Sequence, residues 1–515
     1  FLMNYGYSFD DAKDWICGPA YSAWQFMSNM ETFGGPVSDQ YVVDRVELAR
    51  STQRWKNSLG MQTILQGYAG MVPTNFKEFY PEATLVDQGT WNGVSRPSMI
   101  ATDSALYDEL AAKFYECQEY VYGKNNHYYA ADPFHEGGKR PSGLSDSTIA
   151  ENVLESLLGY DDEATWVVQG WQSNPTSGLL EGMGGYRNTN VIVVDLIKYP
   201  ISTGTKYDGT SYGSTHLSGK EFNGTNWVWG LLANFGGNPS MHGELQTMVN
   251  DIMNAKKNYT HMVGIGMISE AMYDNPVVYD LLFDLVWADD SFDLSDWMDG
   301  YVERRYGGTS ANVRAAWDVM LNANYNYGVR FTSEVYGMKN KGPQGYGTQS
   351  IPYGAQNLER ALLLLLEDFD TFKNSECYLY DLSEIMRQDV SNYSTLTYND
   401  ILAAKNSRDL DSFLEAKEKF LNSLQVLNAV QATQQNQLAG EWIGKATDMA
   451  AAYDDFSADV FEMQAKALIT SWGSRSSNRR LKDYGWRNYE GMFLDLYASV
   501  WEDYLAEEEE YAPSG

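Results

Sequence analysis

The stretch Tyr128-Tyr-Ala-Ala-Asp-Pro-Phe-His-Glu-Gly-Gly138 joins an apolar, aromatic run to a polar turn. The run ends at Asp132, and His135 and Glu136 follow on a loop that two glycines close. This pattern is typical of a strand in an α/β barrel where it passes into the loop at its carboxyl end, the place at which barrel enzymes hold their catalytic residues. A surface loop that happens to be acidic has the same pattern, so this stretch alone leaves both interpretations open.

A second stretch, Val263-Gly-Ile-Gly-Met-Ile-Ser-Glu270, is also an apolar run that ends in one carboxylate. The carboxyl ends of the strands of a barrel lie on one face, so we expect Glu136 and Glu270 to converge on one pocket. Two carboxylates on either side of a scissile bond are the usual equipment of a glycoside hydrolase. We therefore predict that this pair is catalytic. The alternative is two structural carboxylates held in salt bridges.

Six strand-like apolar runs lie between residues 61 and 268, mostly separated by segments of helical periodicity. Such runs are typical of a parallel sheet that is buried on both faces. From about Ser295 the hydrophobic period becomes that of long amphipathic helices. The predicted fold is α/β, an (α/β)8 TIM-like barrel with about six of its eight strands in this chain, followed by an all-α helical domain. The predicted parts are a barrel over 1–306 whose first two strands would precede Phe1, a helical domain over 307–505, and a disordered acidic tail over 506–515.

The 515 residues carry a net charge of -32, which argues against nucleic acid and anionic membrane surfaces as partners because phosphates would be repelled. The 37 Tyr and 15 Trp favour a neutral glycan, since aromatic rings pack on the C–H faces of sugars, although large cores also use aromatic residues. No apolar run is long enough to span a bilayer. The three cysteines are too few and too scattered for a disulfide framework or a zinc site, and the five histidines lack metal-ligand spacing. We therefore expect neither a metal nor another cofactor.

Three other positions are candidates for contacts to a sugar. Trp171 ends a strand-like run, and Asn234 begins an Asn-Phe-Gly-Gly-Asn turn whose amides could recognise hydroxyl groups. A basic loop over 471–484 carries Trp472 and Tyr484. Each feature has a structural alternative: packing between the barrel and a helix, a turn that forms for backbone reasons, and a solvated loop between two helices.

Several short motifs follow one another along the chain: Cys17-Gly-Pro-Ala-Tyr-Ser-Ala-Trp24, Gln66-Gly-Tyr-Ala-Gly-Met-Val-Pro73, Ala131-Asp-Pro-Phe-His-Glu136, Gln169-Gly-Trp171, Asn234-Phe-Gly-Gly-Asn238, Gly266-Met-Ile-Ser-Glu270 and Trp472-Gly473. In this order they resemble the α-N-acetylglucosaminidases of glycoside hydrolase family 89. The resemblance implies that Glu136 is the acid/base and Glu270 the nucleophile. It also implies a substrate site whose residues include Trp24, His135, Trp171, Asn234, Trp472 and Tyr484.

The function that this resemblance implies is a retaining exo-α-N-acetylglucosaminidase, which hydrolyses terminal α-linked N-acetylglucosamine (GlcNAc) from a glycan through a glycosyl-enzyme. Two alternatives stay open: a retaining glycosidase for another sugar, and a glycan-binding protein without turnover. The chain differs from the animal enzyme at His135, where that enzyme has Asn, and at Met71, where it has His. The acidic composition and the few cysteines favour a secreted bacterial enzyme, extracellular or periplasmic, over a lysosomal one.

Overall fold

Six parallel strands form the central sheet of this computed structural model, which describes residues 1–124, 126–172, 174–199, 221–270, 273–328, 335–337, 343–473 and 487–511. Each strand pairs with the next one along the chain, so the spatial order equals the sequence order. The strands are β1 (Ile64–Gln66), β2 (Tyr128–Ala130), β3 (Thr165–Gly170), β4 (Val191–Tyr199), β5 (Trp227–Ala233) and β6 (Met262–Ser269). Parallel neighbours of this kind require a crossover between strands, and most of these crossovers contain a helix.

Helices occupy the connections because amphipathic segments follow the strands and carry good caps. Ser104 and Ser145, for example, accept the N–H groups of Tyr107 and Thr148 at the starts of two helices. The helices before β1 and around the sheet are Phe9–Trp15, Ser22–Phe26, Asp39–Ser58, Ala105–Tyr122, Asp146–Tyr160, Ser177–Gly182, Glu221–Gly224, Leu245–Asn258 and Pro276–Trp287.

The core lies between the sheet and these helices. Ile149 and Leu157 of one helix are buried, as is Trp166 of β3, whose indole N–H donates to the Ala131 carbonyl at 2.8 Å. That bond satisfies the polar atom of a large buried ring and attaches β3 to the residue that follows β2. The core therefore stabilises the end of β2, from which the Glu136 loop departs.

Five short strands between β1 and the next helix were not predicted. They are Met71–Val72, Leu85–Val86, Thr90–Trp91, Val94–Ser95 and Ser98–Ile100, and they pair antiparallel. Runs of two or three residues have too little periodicity to be found from sequence. This excursion brings Arg96 to the carboxyl edge of the main sheet.

The second half of the described chain is helical. Its helices are Leu294–Tyr306, Ala311–Asn322, Gln356–Glu367, Phe369–Phe372, Glu376–Ser407, Leu410–Gln431, Ala439–Ala451, Asp455–Ile469, the π-helical segment Phe493–Ala498 and Ser499–Tyr511. A second core joins several of them around Tyr398, Phe420 and Trp501. The predicted fold class, a parallel α/β sheet followed by a helical part, is confirmed. Within the described residues, no helix has the length and apolarity needed to cross a membrane.

Two predictions for the helical part are wrong. The hydrophobic periodicity of residues 438–471 predicts one helix, but the structure has two, because the chain breaks at 452–454 and Asp454 caps the second helix by accepting from the Ser457 N–H. The tail expected to be disordered from residue 506 continues the last helix to Tyr511. Its acidic side chains have partners that composition does not reveal, since Glu508 pairs with Lys405 and Glu509 with Lys417.

Candidate active site

Four loops meet at the carboxyl edge of the parallel sheet. They follow β2, β3, β5 and β6 and carry Glu136, Trp171, the turn 234–238 and Glu270. Because the strands of the sheet are parallel, their carboxyl ends lie along one edge, and residues from distant parts of the sequence come to that edge.

Two N–H groups hold the carboxylate of Glu136. The side-chain amide of Asn29 donates to Oε2 at 2.8 Å, and the indole N–H of Trp171 donates to Oε1 at 3.0 Å. Glu136 and its neighbour Phe134 have positive φ angles of 48° and 64°, a conformation that costs free energy in residues with side chains. The loop is thus bent so that the carboxylate reaches both donors.

Arg96 fixes the backbone of the same loop. Its guanidinium donates to the carbonyls of His135 at 3.0 Å and Glu136 at 2.7 Å, and to Oδ1 of Asn29 at 3.1 Å. The residue is only 3% exposed, and burial lowers the pKa of its guanidinium, which the charge of Glu136 partly offsets. A buried cation needs hydrogen-bond acceptors around it. Here the acceptors are two backbone carbonyls of the loop that carries Glu136 and the side chain of Asn29, which itself donates to Glu136.

Glu270 has a different environment. The backbone N–H of Gly236 donates to its Oε2. The pKa of Glu270 is raised, chiefly because surrounding protein removes its solvation and also because of the negative charge of Glu136, while the Gly236 bond and the charge of Arg487 lower it. Glu270 is nevertheless an exposed residue, so protein surrounds its side chain on only some sides. The effect of the Glu136 charge on Glu270 fits the position of both side chains at one edge of the sheet.

His135 is buried within the loop that carries Glu136. It is 3% exposed, and its Nδ1 has no hydrogen-bond partner within the described part of the chain. Its charge lowers the pKa of Asp132, which burial raises more strongly, and Asp132 accepts from the backbone and side chain of Gln169 at 2.7 and 2.9 Å. These bonds attach the end of β2 to β3, so Asp132 supports the loop.

Trp171 links the two halves of the site. Its indole binds Glu136, and its ring stacks on Phe235 of the 234–238 turn, with ring centres 6.2 Å apart. Asn234 has a structural role in this turn: its amide donates to the Asp274 carbonyl at 3.1 Å and to the Tyr279 hydroxyl at 2.7 Å. The side-chain amide of Asn234 thus donates to partners within the protein, which favours a structural role for this turn over direct recognition of sugar hydroxyl groups.

Trp24 and Trp472 pack edge to face with ring centres 4.9 Å apart. Trp472 is 2% exposed and lies in a small core with Cys17, Tyr21 and Met30. Met30 directly follows Asn29 in the sequence. Trp472 therefore backs Trp24, and Trp24 is the ring of this pair with more accessible surface. Tyr484 lies outside the described residues. Across the described ranges no cluster of three or more His, Cys, Asp or Glu side chains could hold a metal ion.

Sequence families agree with this geometry. Residues 1–289 match the family described as the alpha-N-acetylglucosaminidase (NAGLU) tim-barrel domain, and residues 297–515 match the corresponding C-terminal domain. The chain belongs to the alpha-N-acetylglucosaminidase family. The predicted resemblance is confirmed. The junction of the two family domains falls before the predicted boundary at residue 306, while the main core continues past both positions to Ile385.

Individual relatives from this family support the same conclusion. Human alpha-N-acetylglucosaminidase is 28% identical over 519 residues, which covers 96% of this chain and 66% of the human protein. A family 89 glycoside hydrolase from Clostridium perfringens, solved with PUGNAc, has a TM-score of 0.91 at 34% identity and covers 100% of this chain. CpGH89 from the same organism, with two glutamates changed to glutamine and its substrate GlcNAc-alpha-1,4-galactose bound, has a TM-score of 0.91 at 33% identity. The chain spans 58% of each clostridial chain.

The sequence did not identify three residues of this candidate site: Asn29, Arg96 and Arg487. Arg96 had a weak signal in the sequence, because it stands in a largely uncharged segment, residues 94–100, where a charged side chain is uncommon. Asn29 and Arg487 carried none, since their roles depend on contacts 107 and 251 residues away in sequence.

Proposed function

We propose that this chain is a retaining exo-α-N-acetylglucosaminidase, with Glu270 as the nucleophile and Glu136 as the general acid and base. The proposal depends above all on one observation: Glu136 and Glu270 follow the carboxyl ends of two parallel strands of one sheet, and each carboxylate has hydrogen-bond donors of its own. Glu136 protonates the leaving oxygen and then activates water, while Glu270 forms the glycosyl-enzyme.

The stereochemistry of the substrate favours a protein nucleophile. In α-linked GlcNAc the leaving group and the 2-acetamido group lie on the same side of the ring, so the acetamide cannot attack from the opposite face. A carboxylate of the protein must therefore do so. Retention by double displacement requires carboxyl groups about 5–5.5 Å apart, against about 6.5–9.5 Å for inversion.

Two relatives support a proposal for the substrate class. A human relative is named for α-N-acetylglucosaminidase activity, and a clostridial one was solved with GlcNAc-alpha-1,4-galactose. We propose terminal α-linked GlcNAc as the sugar this chain removes. We also propose an extracellular or periplasmic location, on the ground of the net charge of -32 and the three scattered cysteines.

The test of catalysis uses an aryl α-GlcNAc substrate. Glu136→Ala and Glu270→Ala should each reduce kcat by about 10³-fold or more, and exposed Glu116→Gln should leave it unchanged. The first sugar released by the unaltered protein should be the α-anomer by NMR. Near-native turnover in either alanine variant, or the β-anomer as first product, would contradict the proposal.

Added azide assigns the two roles. It can replace water in Glu136→Ala after the glycosyl-enzyme has formed, which gives the α-glycosyl azide. In Glu270→Ala it can replace the nucleophile directly, which gives the β-glycosyl azide. The opposite pattern would exchange the two roles. A panel of other aryl glycosides tests the first alternative, and glycan binding without any hydrolysis by the unaltered chain would establish the second.

A further inference from the structure

A cation from the helical half of the chain reaches the loop beside Glu270. Arg487 lies 217 residues after Glu270, and its Nε donates to the carbonyl of Gly236 at 3.0 Å. Gly236 is the residue whose N–H donates to Glu270. One glycine therefore joins the guanidinium and the carboxylate through two successive peptide groups.

The turn leaves room for this contact. A Cβ atom on Gly237 would lie 2.2 Å from Cζ of Arg487, closer than real atoms approach. Gly237 also has a φ of 80°, which favours glycine over residues with a side chain. The turn 234–238 can therefore hold the guanidinium of Arg487 only because residue 237 is a glycine.

Other residues of the helical half hold Arg487 in place. Its guanidinium lies over the ring of Trp442 at 5.7 Å, and its Nη1 donates to the Tyr489 hydroxyl at 3.4 Å. The Tyr497 hydroxyl donates to the Arg487 carbonyl. Both the backbone and the side chain of Arg487 are therefore fixed before a substrate arrives, which is what orientation of a reacting group requires.

We propose that Arg487 is a positioning residue for the nucleophile: it fixes the 235–237 turn so that the Gly236 N–H points at Glu270. The inference rests on the proposed role of Glu270. It assigns to the helical half a part in turnover, since the barrel residues alone would lack both the charge and the anchor of the turn.

The charge has a measurable consequence. Desolvation raises the pKa of Glu270, and Arg487 opposes that rise. Without the cation the pKa rises further, so a larger fraction of Glu270 is protonated at acidic pH and cannot attack. The acid limb of the kcat/KM profile then moves to higher pH.

Arg487→Gln and Arg487→Lys separate the two roles of this residue. In Arg487→Gln we expect the acid limb to move up by about half a pH unit or more and kcat to fall about tenfold, with KM little changed. Arg487→Lys keeps the positive charge but loses the planar guanidinium group. Its kcat should therefore fall while the acid limb of the kcat/KM profile stays at the same pH. Exposed Arg304→Gln is the matched control, and thermal unfolding is compared for all variants.

The outcomes are distinct. Suppose that both Arg487 variants keep the native kcat and the native acid limb of the kcat/KM profile, while Glu270→Ala is inactive. That result would overturn this inference and leave the proposed function intact. An active Glu270→Ala would overturn the proposed function first. If Arg487→Gln does not fold, Arg487→Lys alone decides, because native kcat in that variant contradicts the role given to the guanidinium fork.

Discussion

At the scale of single residues, the two glutamates differ in how the protein holds them. Glu136 accepts from the neutral N–H groups of Asn29 and Trp171, while the nearby Arg96 donates to loop carbonyls. Glu270 accepts from a backbone N–H and lies in the field of Arg487. The two carboxyl groups therefore have different surroundings, with neutral side-chain donors at Glu136 and a backbone donor and a nearby cation at Glu270.

Trp171→Phe tests how strongly orientation of Glu136 matters. The phenyl ring can still stack on Phe235, but the donor at 3.0 Å from Glu136 is lost. We expect kcat/KM on an aryl α-GlcNAc to fall about tenfold, with little change in thermal stability. Trp55→Phe, at an exposed tryptophan, is the control. Unchanged kcat/KM in Trp171→Phe would mean that this bond does not orient the acid.

At the scale of elements, β4 and β5 approach each other closely at Gly230. A Cβ atom there would lie 2.1 Å from the carbonyl oxygen of Asp195 in β4, and the register of the two strands shifts between Trp229 and Leu231. The absence of a side chain therefore permits the pairing that brings the ends of β4 and β5 to the active-site edge.

Gly230→Ala should consequently destabilise the protein by about 1–3 kcal/mol, because the strands must move apart. Gly264→Ala in β6 is a matched control, since its Cβ would meet only a Val228 methyl group at 3.7 Å. We expect that variant to be neutral or slightly more stable. Thermal unfolding of both proteins measures the difference, and equal midpoints would refute this account of Gly230.

At the scale of the whole molecule, buried charged groups lie within the helical half and between that half and the sheet. Arg305 donates to Asp381 through two nitrogens, both at 2.7 Å. Asp274, just beyond β6, faces Glu384 and Arg387 of the Glu376–Ser407 helix. Burial and the charge of Glu384 raise the pKa of Asp274 to about 7, while Arg387, Arg487 and Gln437 oppose this rise.

This raised pKa predicts a pH dependence of stability. A carboxyl group that holds its proton more tightly in the folded state stabilises that state at low pH, and the benefit is lost as pH rises through about 7. Asp274→Asn stays neutral, so the difference between its Tm and that of the unaltered protein should grow in favour of the variant by about 2 °C between pH 5 and pH 8. Some pH dependence will remain, because burial raises the pKa of Glu384 as well. The same Tm difference at both pH values would contradict the assignment.

Local sequence predicted the regular elements well. The hydrophobic periodicity of residues 276–287 predicts the helix Pro276–Trp287 that the structure has, and the strands before Glu136 and Glu270 end close to the ends of the apolar runs. It failed where stability comes from distant partners. The acidic tail is helical because Lys405 and Lys417 face it, and Trp472 is buried because Trp24 and Tyr21 pack on it.

The sequence by itself determined the parallel sheet, the helical half and the two strand-terminal glutamates, because hydrophobic periodicity, caps and strand ends depend on neighbouring residues. Only the tertiary structure decided what surrounds those glutamates. Asn29, Arg96 and Arg487 reach them from three separate parts of the chain. Contacts of that kind leave no local pattern, since they depend on how finished elements pack.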